Sequence, residues 1–354
     1  MENIEQFKEL LSVPSKTYYE HMMVDYLMGV IKEIPNVTVY KDSEGNIYAS
    51  KGDAEYKPMF VAHTDTVHAI EPELIIEEFY TPKPYTFGRS FDDTVYKALR
   101  AVTPSGLPTG IGGDDKCGIF ICLELLKQLD NVKVGLFTAE EVGCIGSSQC
   151  DLNFLTDVGY IVQFDAPSTH LITEYCSGVQ LFERDSDFFN KAIPVIENAM
   201  GTKMELQSHP YTDVSVLKKK TDVSCINISC GYYNMHSKSE FVVISDVEKS
   251  IQAGLSLAKE LGNEKYTFEY KPTTYTYQRD LFNDKAPWDE DHALDTILND
   301  MVSDYYEDES TLVIMEEEDG AYLYNEENEQ GFFVSKEDIK QLASWIMDTK
   351  HITY

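Results

Sequence analysis

Four short apolar runs in this chain each end on side chains that can bind a metal. Met59–Ala62 leads into His63-Thr-Asp65-Thr-Val67, Val132–Phe137 into Thr138-Ala-Glu140-Glu141-Val-Gly143, Tyr160–Phe164 into Asp165, and Cys225–Ser229 is followed by Gly231-Tyr-Tyr-Asn-Met-His236. Between the first two lies Gly112-Gly-Asp114-Asp115-Lys-Cys-Gly118, a turn that opens a helix. A divalent cation takes imidazoles and carboxylates brought together from separate elements, and two neighbouring cations need a carboxylate to bridge them. Each of these residues alone has an ordinary explanation: a core histidine, an Asp-Asp helix cap, an exposed Glu pair. Five segments converging on one edge are better explained by a metal site.

The elements that must position these residues read as α/β. The apolar runs are short and continuous, as buried strands are, and helical candidates at 115–129, 185–200 and 245–262 alternate with them. That alternation predicts a mainly parallel or mixed central sheet with helices on both faces, with ligands held beyond the carboxyl ends of the strands. Upstream, Phe7, Leu10 and Leu11 form a helical stripe that stops at Pro14, and Met23, Tyr26, Leu27, Val30, Ile31 and Ile34 form a second. Val37–Tyr40 and Ile47–Ser50 flank the turn Ser43-Glu-Gly-Asn46 and read as a hairpin. Residues 71–110, with Pro72, Pro82, Pro84, Pro104 and Pro108, read as an irregular or β-rich insertion within a catalytic domain spanning 1–264. Residues 265–354 read as an acidic accessory region, with the cluster Glu316-Glu-Glu-Asp319 as solvated surface and an amphipathic end carrying Ile339, Leu342, Trp345 and Ile346.

Composition narrows the partners. At 354 residues the chain has room for roughly two domains of ~150. The 61 acidic residues against 29 Lys and Arg give a formal charge of -32, which disfavours nucleic acid and anionic membranes and favours cationic or metal partners. No apolar run reaches the roughly 18 residues of a membrane span, and Met-Glu-Asn-Ile-Glu-Gln lacks the basic then apolar order of a signal peptide, so a cytoplasmic location is expected. The seven cysteines show no C-x-x-C spacing and read as reduced core residues, which argues against thiolate-held zinc.

In this order the pieces resemble the co-catalytic dizinc exopeptidases, the superfamily of peptidase T, glutamate carboxypeptidase and the glutamyl and leucyl aminopeptidases. The resemblance covers about residues 1–262. It is carried by Leu11-Ser-Val-Pro-Ser15, Glu44-Gly-Asn-Ile47, H-x-D-x-V from His63, G-G-D-D-K-x-G from Gly112, E-E-V-G from Glu140 and H-S-x-x-E-F from His236. It implies two divalent ions, zinc first and cobalt or manganese as tolerated substitutes. His63, Asp114 and Asp165 would hold one ion, and Asp114, Glu141 and His236 the other, with Asp114 bridging. Asp65 would accept the second imidazole N–H of His63 and fix the ring. Glu140 would be the general base toward a metal-activated water, and the Asp114–Asp115 linkage would be cis-like.

Two features separate branches of the superfamily. Only 70 residues lie between Asp165 and His236, too few for the lid domain of carboxypeptidases and deacylases, and those branches tend to carry Glu where this chain has Asp165. The segment His209-Pro-Tyr-Thr-Asp213 resembles the T-D loop that lines the substrate pocket of lidless aminopeptidases, which makes His209 and Asp213 candidate substrate contacts. His68 and His170 stay unassigned, and Tyr232 and Tyr233 are either pocket walls or packing.

The expected function is a metal-dependent exopeptidase that removes N-terminal residues from short peptides, as a monomer or homo-oligomer. A dizinc amidohydrolase or carboxypeptidase is the alternative. A non-catalytic metal-binding protein whose acidic tail engages a basic partner is the third reading, and the presence of Glu140 speaks against it.

Overall fold

The computed structural model describes residues 3–71, 73–82, 94–209, 211–270, 312–317, 320–325 and 330–335. Two N-terminal helices, α1 (Ile4–Ser12) and α2 (His21–Lys32), precede strands β1 (Val37–Lys41), β2 (Ile47–Lys51) and β3 (Lys57–His63). Then come β4 (Ile75–Pro82), β5 (Val95–Val102), β6 (Pro108–Thr109), α3 (Gly113–Gln128), β7 (Val132–Phe137), α4 (Ile145–Ser148) and β8 (Val158–Ala166). The chain continues through β9 (Leu171–Cys176), β10 (Val179–Gln180), α5 (Asp187–Met200), β11 (Glu205–His209), α6 (Asp213–Lys218), β12 (Cys225–Ser229), β13 (Tyr232–Tyr233), β14 (Phe241–Val243) and α7 (Ile244–Leu261).

The central sheet runs β1-β2-β7-β3-β8-β12-β9-β10, with β11 beside β9. Its middle strands β7, β3, β8 and β12 are parallel, and antiparallel pairs flank them, so the expected mixed sheet is present. Every residue of β3, β7, β8 and β12 is buried, which is why each reads as a continuous apolar run rather than an alternating one. Successive strand residues point to opposite faces. Gln163 Oε1 accepts a hydrogen bond from Val214 N of α6, whereas an added Cβ at Gly254 of α7 would meet the next residue, Phe164. Helices therefore cover both faces.

Helix α3 is buried along almost its whole length, and the Phe120 ring stacks on Phe7 of α1 at 4.5 Å between centroids. Helix α5 starts on a capped turn, with Ser186 Oγ accepting from Phe189 N, and ends at Gly201 with φ 69°, the left-handed conformation glycine adopts without cost. All seven cysteines are free and buried.

The described part of residues 71–110 takes the β-rich form of the two that the sequence leaves open. Strands β4 and β5 pair antiparallel, and β5 pairs in turn with β14, Phe241 opposite Arg100 and Val242 opposite Leu99. The resulting five-stranded second sheet grips the segment that contains His236. Non-local pairing leaves no periodic mark in a proline-punctuated stretch, so sequence pattern alone does not reveal it. Pro72 and Pro84 lie outside the described residues.

The chain divides into two compact units at Thr274/Tyr275. In the second, β15 (Leu312–Glu317), β16 (Gly320–Asn325) and β17 (Gln330–Ser335) form an antiparallel meander, with Ile314 opposite Leu323 and Tyr322 opposite Phe333. Glu316 and Glu317 of the acidic cluster end β15, while Asp319, Ile339, Leu342, Trp345 and Ile346 lie outside the described residues.

A clamp closes the amino-terminal edge of the central strands. Asp157, just before β8, accepts from Lys57 Nζ of β3 at 2.7 Å and from Lys133 Nζ of β7. Burial alone would raise the Asp157 pKa, but the two ammonium groups outweigh it and hold the carboxyl below its ordinary value. A depressed carboxyl pKa stabilises the fold above the unfolded value, near 3.8, and that contribution disappears as pH falls through the folded one. Asp157→Asn should therefore cost roughly 1 kcal/mol at pH 7, allowing for solvent screening, and nothing in strong acid, as measured by urea unfolding at both pH values. Phe120→Ala should cost about 3 to 5 kcal/mol in the same assay through the cavity it leaves. Tyr80→Ala, at a side chain 71% exposed, should leave stability nearly unchanged.

Candidate metal centre

Because β3, β7, β8 and β12 are parallel, their carboxyl ends share one edge, and the metal-capable side chains gather there. His63 ends β3, Asp165 is the penultimate residue of β8, Glu140 and Glu141 follow β7, and His236 lies between β13 and β14. Asp114 comes at the start of α3, before regular helical geometry begins, and the Asp114–Asp115 peptide is cis.

His63 Nε2 lies 3.0 Å from Asp114 Oδ1, 3.6 Å from Asp165 Oδ1 and 4.0 Å from Glu140 Oε2. His236 Nε2 lies 3.2 Å from Asp114 Oδ2 and 3.3 Å from Glu141 Oε2. The Asp114 carboxylate thus sits between the two imidazoles and offers one oxygen to each. The His63 side chain is 1% exposed and that of His236 44%, so the pocket opens on the His236 side.

Two groups of three side chains have donor atoms within 4.8 Å of one another: His63, Asp115 and Asp165, and His63, Asp114 and Glu141. Neither coincides with a ligand set that the sequence resemblance implies, and Asp115 enters unexpectedly. Its oxygens are already engaged, however. Oδ1 accepts from Gly118 N at 2.9 Å and Oδ2 from His63 N at 3.3 Å, so Asp115 caps the helix and holds the β3 end beside it.

The surroundings fix the rest. Asp65 differs in detail from expectation: the nearest acceptor for His63 Nδ1 is the Asp65 backbone carbonyl at 3.0 Å, with its carboxylate Oδ1 at 3.4 Å. That carboxylate mainly anchors the Glu140–Glu141 turn, accepting from Glu140 N at 2.9 Å, Glu141 N at 3.2 Å and Thr17 Oγ1 at 2.9 Å. Two residues on from His63 in an extended chain, the side chain reaches the neighbouring loop as readily as the ring. Asp165 Oδ2 accepts from Thr212 Oγ1 and Gln163 Nε2. Tyr232 is buried with its hydroxyl 3.5 Å from Asp165 Oδ1, whereas Tyr233 stacks on Phe241 and donates to Asp246, which is packing.

The T-D loop reaches the same edge. Asp213 is fully buried at the start of α6, its carboxyl pushed up to about 7 by burial, and its charge acts on Glu140. The Tyr211 hydroxyl donates to the Glu141 carbonyl at 3.2 Å. His209 Nδ1 lies 2.9 Å from the Tyr211 carbonyl, and Asp165 is close enough to feel its charge. His170 is set apart, facing Ser168 Oγ at 3.0 Å.

So many buried carboxylates perturb one another. Burial pushes Glu140 well above the usual carboxylate range despite the pull of His63, and burial together with Asp114 raises both Glu141 and Asp165. Asp114 goes the other way: burial opposes it, but hydrogen bonds from His236 and His63 hold it far below the ordinary value. The hydrogen bonds that His236 donates to Asp114 and Glu141 raise its own pKa to about 11. Glu141 Oε1 is buried with no hydrogen-bond partner. An orphaned buried carboxylate oxygen beside imidazoles and further carboxylates suits divalent cations, and His63, Asp114, Glu141, Asp165 and His236 are the side chains that could hold them.

A family profile described as M42 glutamyl aminopeptidase matches residues 102–252. That segment contains Asp114, Glu140, Glu141, Asp165 and His236 but not His63. No curated protein sequence matches the chain. Among solved structures, the aminopeptidase PepT from Bacillus cereus aligns at 14% identity with a TM-score of 0.58, over 73% of this chain and 97% of that one. A tripeptidase from Staphylococcus aureus aligns at 12% identity and a TM-score of 0.55, over 72% and 96%. The TET1 peptidase of Pyrococcus horikoshii, which can assemble into a tetrahedron or a large octahedral shell, aligns at 17% identity and a TM-score of 0.50, over 72% and 98%. At these identities the structural likeness speaks for the fold alone. Similarity to the M42 glutamyl aminopeptidases thus extends over residues 102–252, and the described fold is one that solved aminopeptidases and a tripeptidase share.

Proposed function

We propose that the chain removes N-terminal residues from short peptides, with two zinc ions held by His63, Asp114 and Asp165 on one side and by Asp114, Glu141 and His236 on the other. The observation that carries this reading is the Asp114 carboxylate, with one oxygen 3.0 Å from His63 Nε2 and the other 3.2 Å from His236 Nε2. When bound, such ions acidify a water molecule and polarise the scissile carbonyl. The protein's own contribution is proton handling and shape. Glu140, next to Glu141 and with Oε2 4.0 Å from His63 Nε2, takes the proton of the attacking water and passes it to the leaving amine, and its raised pKa suits holding that proton between the two steps. Asp65 fixes the backbone from which Glu140 projects. His209 faces the peptide from the T-D loop, while the buried Asp213 acts on the reaction through its charge on Glu140.

Residues 166–235 favour this reading over the carboxypeptidase or deacylase alternative, since strands β9, β11 and β12 within them belong to the central sheet and leave no separate lid among the described residues. The TET1 comparison supports a homo-oligomer as the working form. No helix among the described residues is long and apolar enough to cross a membrane, which fits the cytoplasmic location we assign. The region from 265 onward is assigned an accessory role.

Turnover of aminoacyl amides with no turnover of N-acylated amino acids is the expected substrate pattern, and the reverse pattern would discard the aminopeptidase reading. Glu140→Gln should retain both ions by metal analysis while losing about 10²- to 10⁴-fold in kcat. Asp114→Ala should lose metal and activity together.

A further inference from the structure

Glu240, four residues beyond His236 and 1% exposed, has no part in the scheme above, yet its carboxylate is fully engaged. Oε1 accepts from Asp114 N at 3.1 Å, and Oε2 accepts from Gly112 N at 2.9 Å and lies 2.6 Å from His68 Nε2. With the carboxylate ionised, the imidazole is the donor in that contact. One side chain therefore ties together three segments: its own, which carries His236; the 112–114 turn, which carries Asp114; and the stretch after β3, which carries His68, five residues on from His63.

The glycines of this turn make room for the arrangement. At Gly113 an added Cβ would lie 2.7 Å from Val242 Cγ2 and 3.3 Å from Glu240 Oε1, and at Gly110 it would lie 2.0 Å from His68 Nδ1. Gly112 itself has φ 67°, a conformation most side chains disfavour. The glycine-rich approach to Asp114 is thus shaped around the carboxylate and the imidazole. The amides it presents at a helix start would be orphaned and buried without Glu240.

We propose that Glu240, oriented by His68, is the positioning residue for Asp114. By holding the amides on either side of Gly113 it sets where the Asp114 carboxylate stands between His63 and His236. Because both imidazoles meet that one carboxylate, a small displacement of the turn alters both halves of the pocket at once. The proposal rests on Asp114 being the bridging ligand.

The test is cobalt(II) binding to the metal-free protein, followed by calorimetry and by the visible absorption of the bound ion, with thermal melting of each metal-free variant as a control for folding. Glu240→Gln keeps the size but turns an N–H group toward one of the donors. It should weaken cobalt binding by about 10- to 100-fold and change the absorption bands, as loss of a group that orients a ligand does. His68→Ala should shift both readouts in the same direction, and His68→Gln, which restores a donor toward Oε2, should recover much of the loss. Wild-type affinity and spectrum in folded Glu240→Gln would overturn the positioning role. Should that variant not fold, indistinguishable binding by His68→Ala and His68→Gln would overturn it instead. Wild-type protein that takes up no cobalt would overturn the underlying metal reading, and this proposal with it.

Discussion

Mutual repulsion of carboxylates gathered in a buried pocket is the constraint that the rest of the structure answers. Asp114, Asp115, Glu140, Glu141, Asp165 and Asp213 all lie within reach of His63 or of one another, and nearly all are buried. Such a set is tolerable only when every oxygen has a donor, a proton or a cation nearby. Donors stand beside many of these oxygens: backbone amides for Asp65, Asp115 and Glu240, and Thr212 and Gln163 for Asp165. Glu141 Oε1 and both Asp213 oxygens remain buried without a hydrogen-bond partner.

The fold reads as the means of holding that set in place. Parallel strands bring the His63, Glu140 and Asp165 ends to one edge, while Asp157, Lys57 and Lys133 secure the opposite edge of the same strands. His236 cannot come from a parallel strand end, since it sits in a loop, and the second sheet solves this by pairing β14 with β5. The long stretch between β3 and α3, costly in loop closure, therefore serves to pin the final imidazole.

Much of this was legible in the sequence, for a physical reason. A strand buried on both faces is a continuous apolar run, so the polar residue that ends it marks the sheet edge, and His63, Glu140, Glu141 and Asp165 stand out that way. Asp114 stands out by its glycine-rich turn. The partnership of residues 71–110 with 232–243 did not, because antiparallel pairing across such a distance has no local periodicity. Asp115 and Glu240 were visible only as letters in motifs; their roles come from backbone amides, which every residue has and no sequence advertises. Asp65 faces the His63 ring, its Oδ1 3.4 Å from Nδ1, and also accepts from the Glu140 amide, a bond to backbone that no sequence pattern marks. The three C-terminal strands were hidden beneath an acidic composition that reads as surface.

The unequal exposure of the two imidazoles gives the pocket a front door and a back wall. His63 is sealed among strand ends, while nearly half of the His236 side chain meets solvent. Solvent and whatever it carries therefore reach the Asp114 carboxylate from the His236 side, and the strand ends close the pocket behind His63.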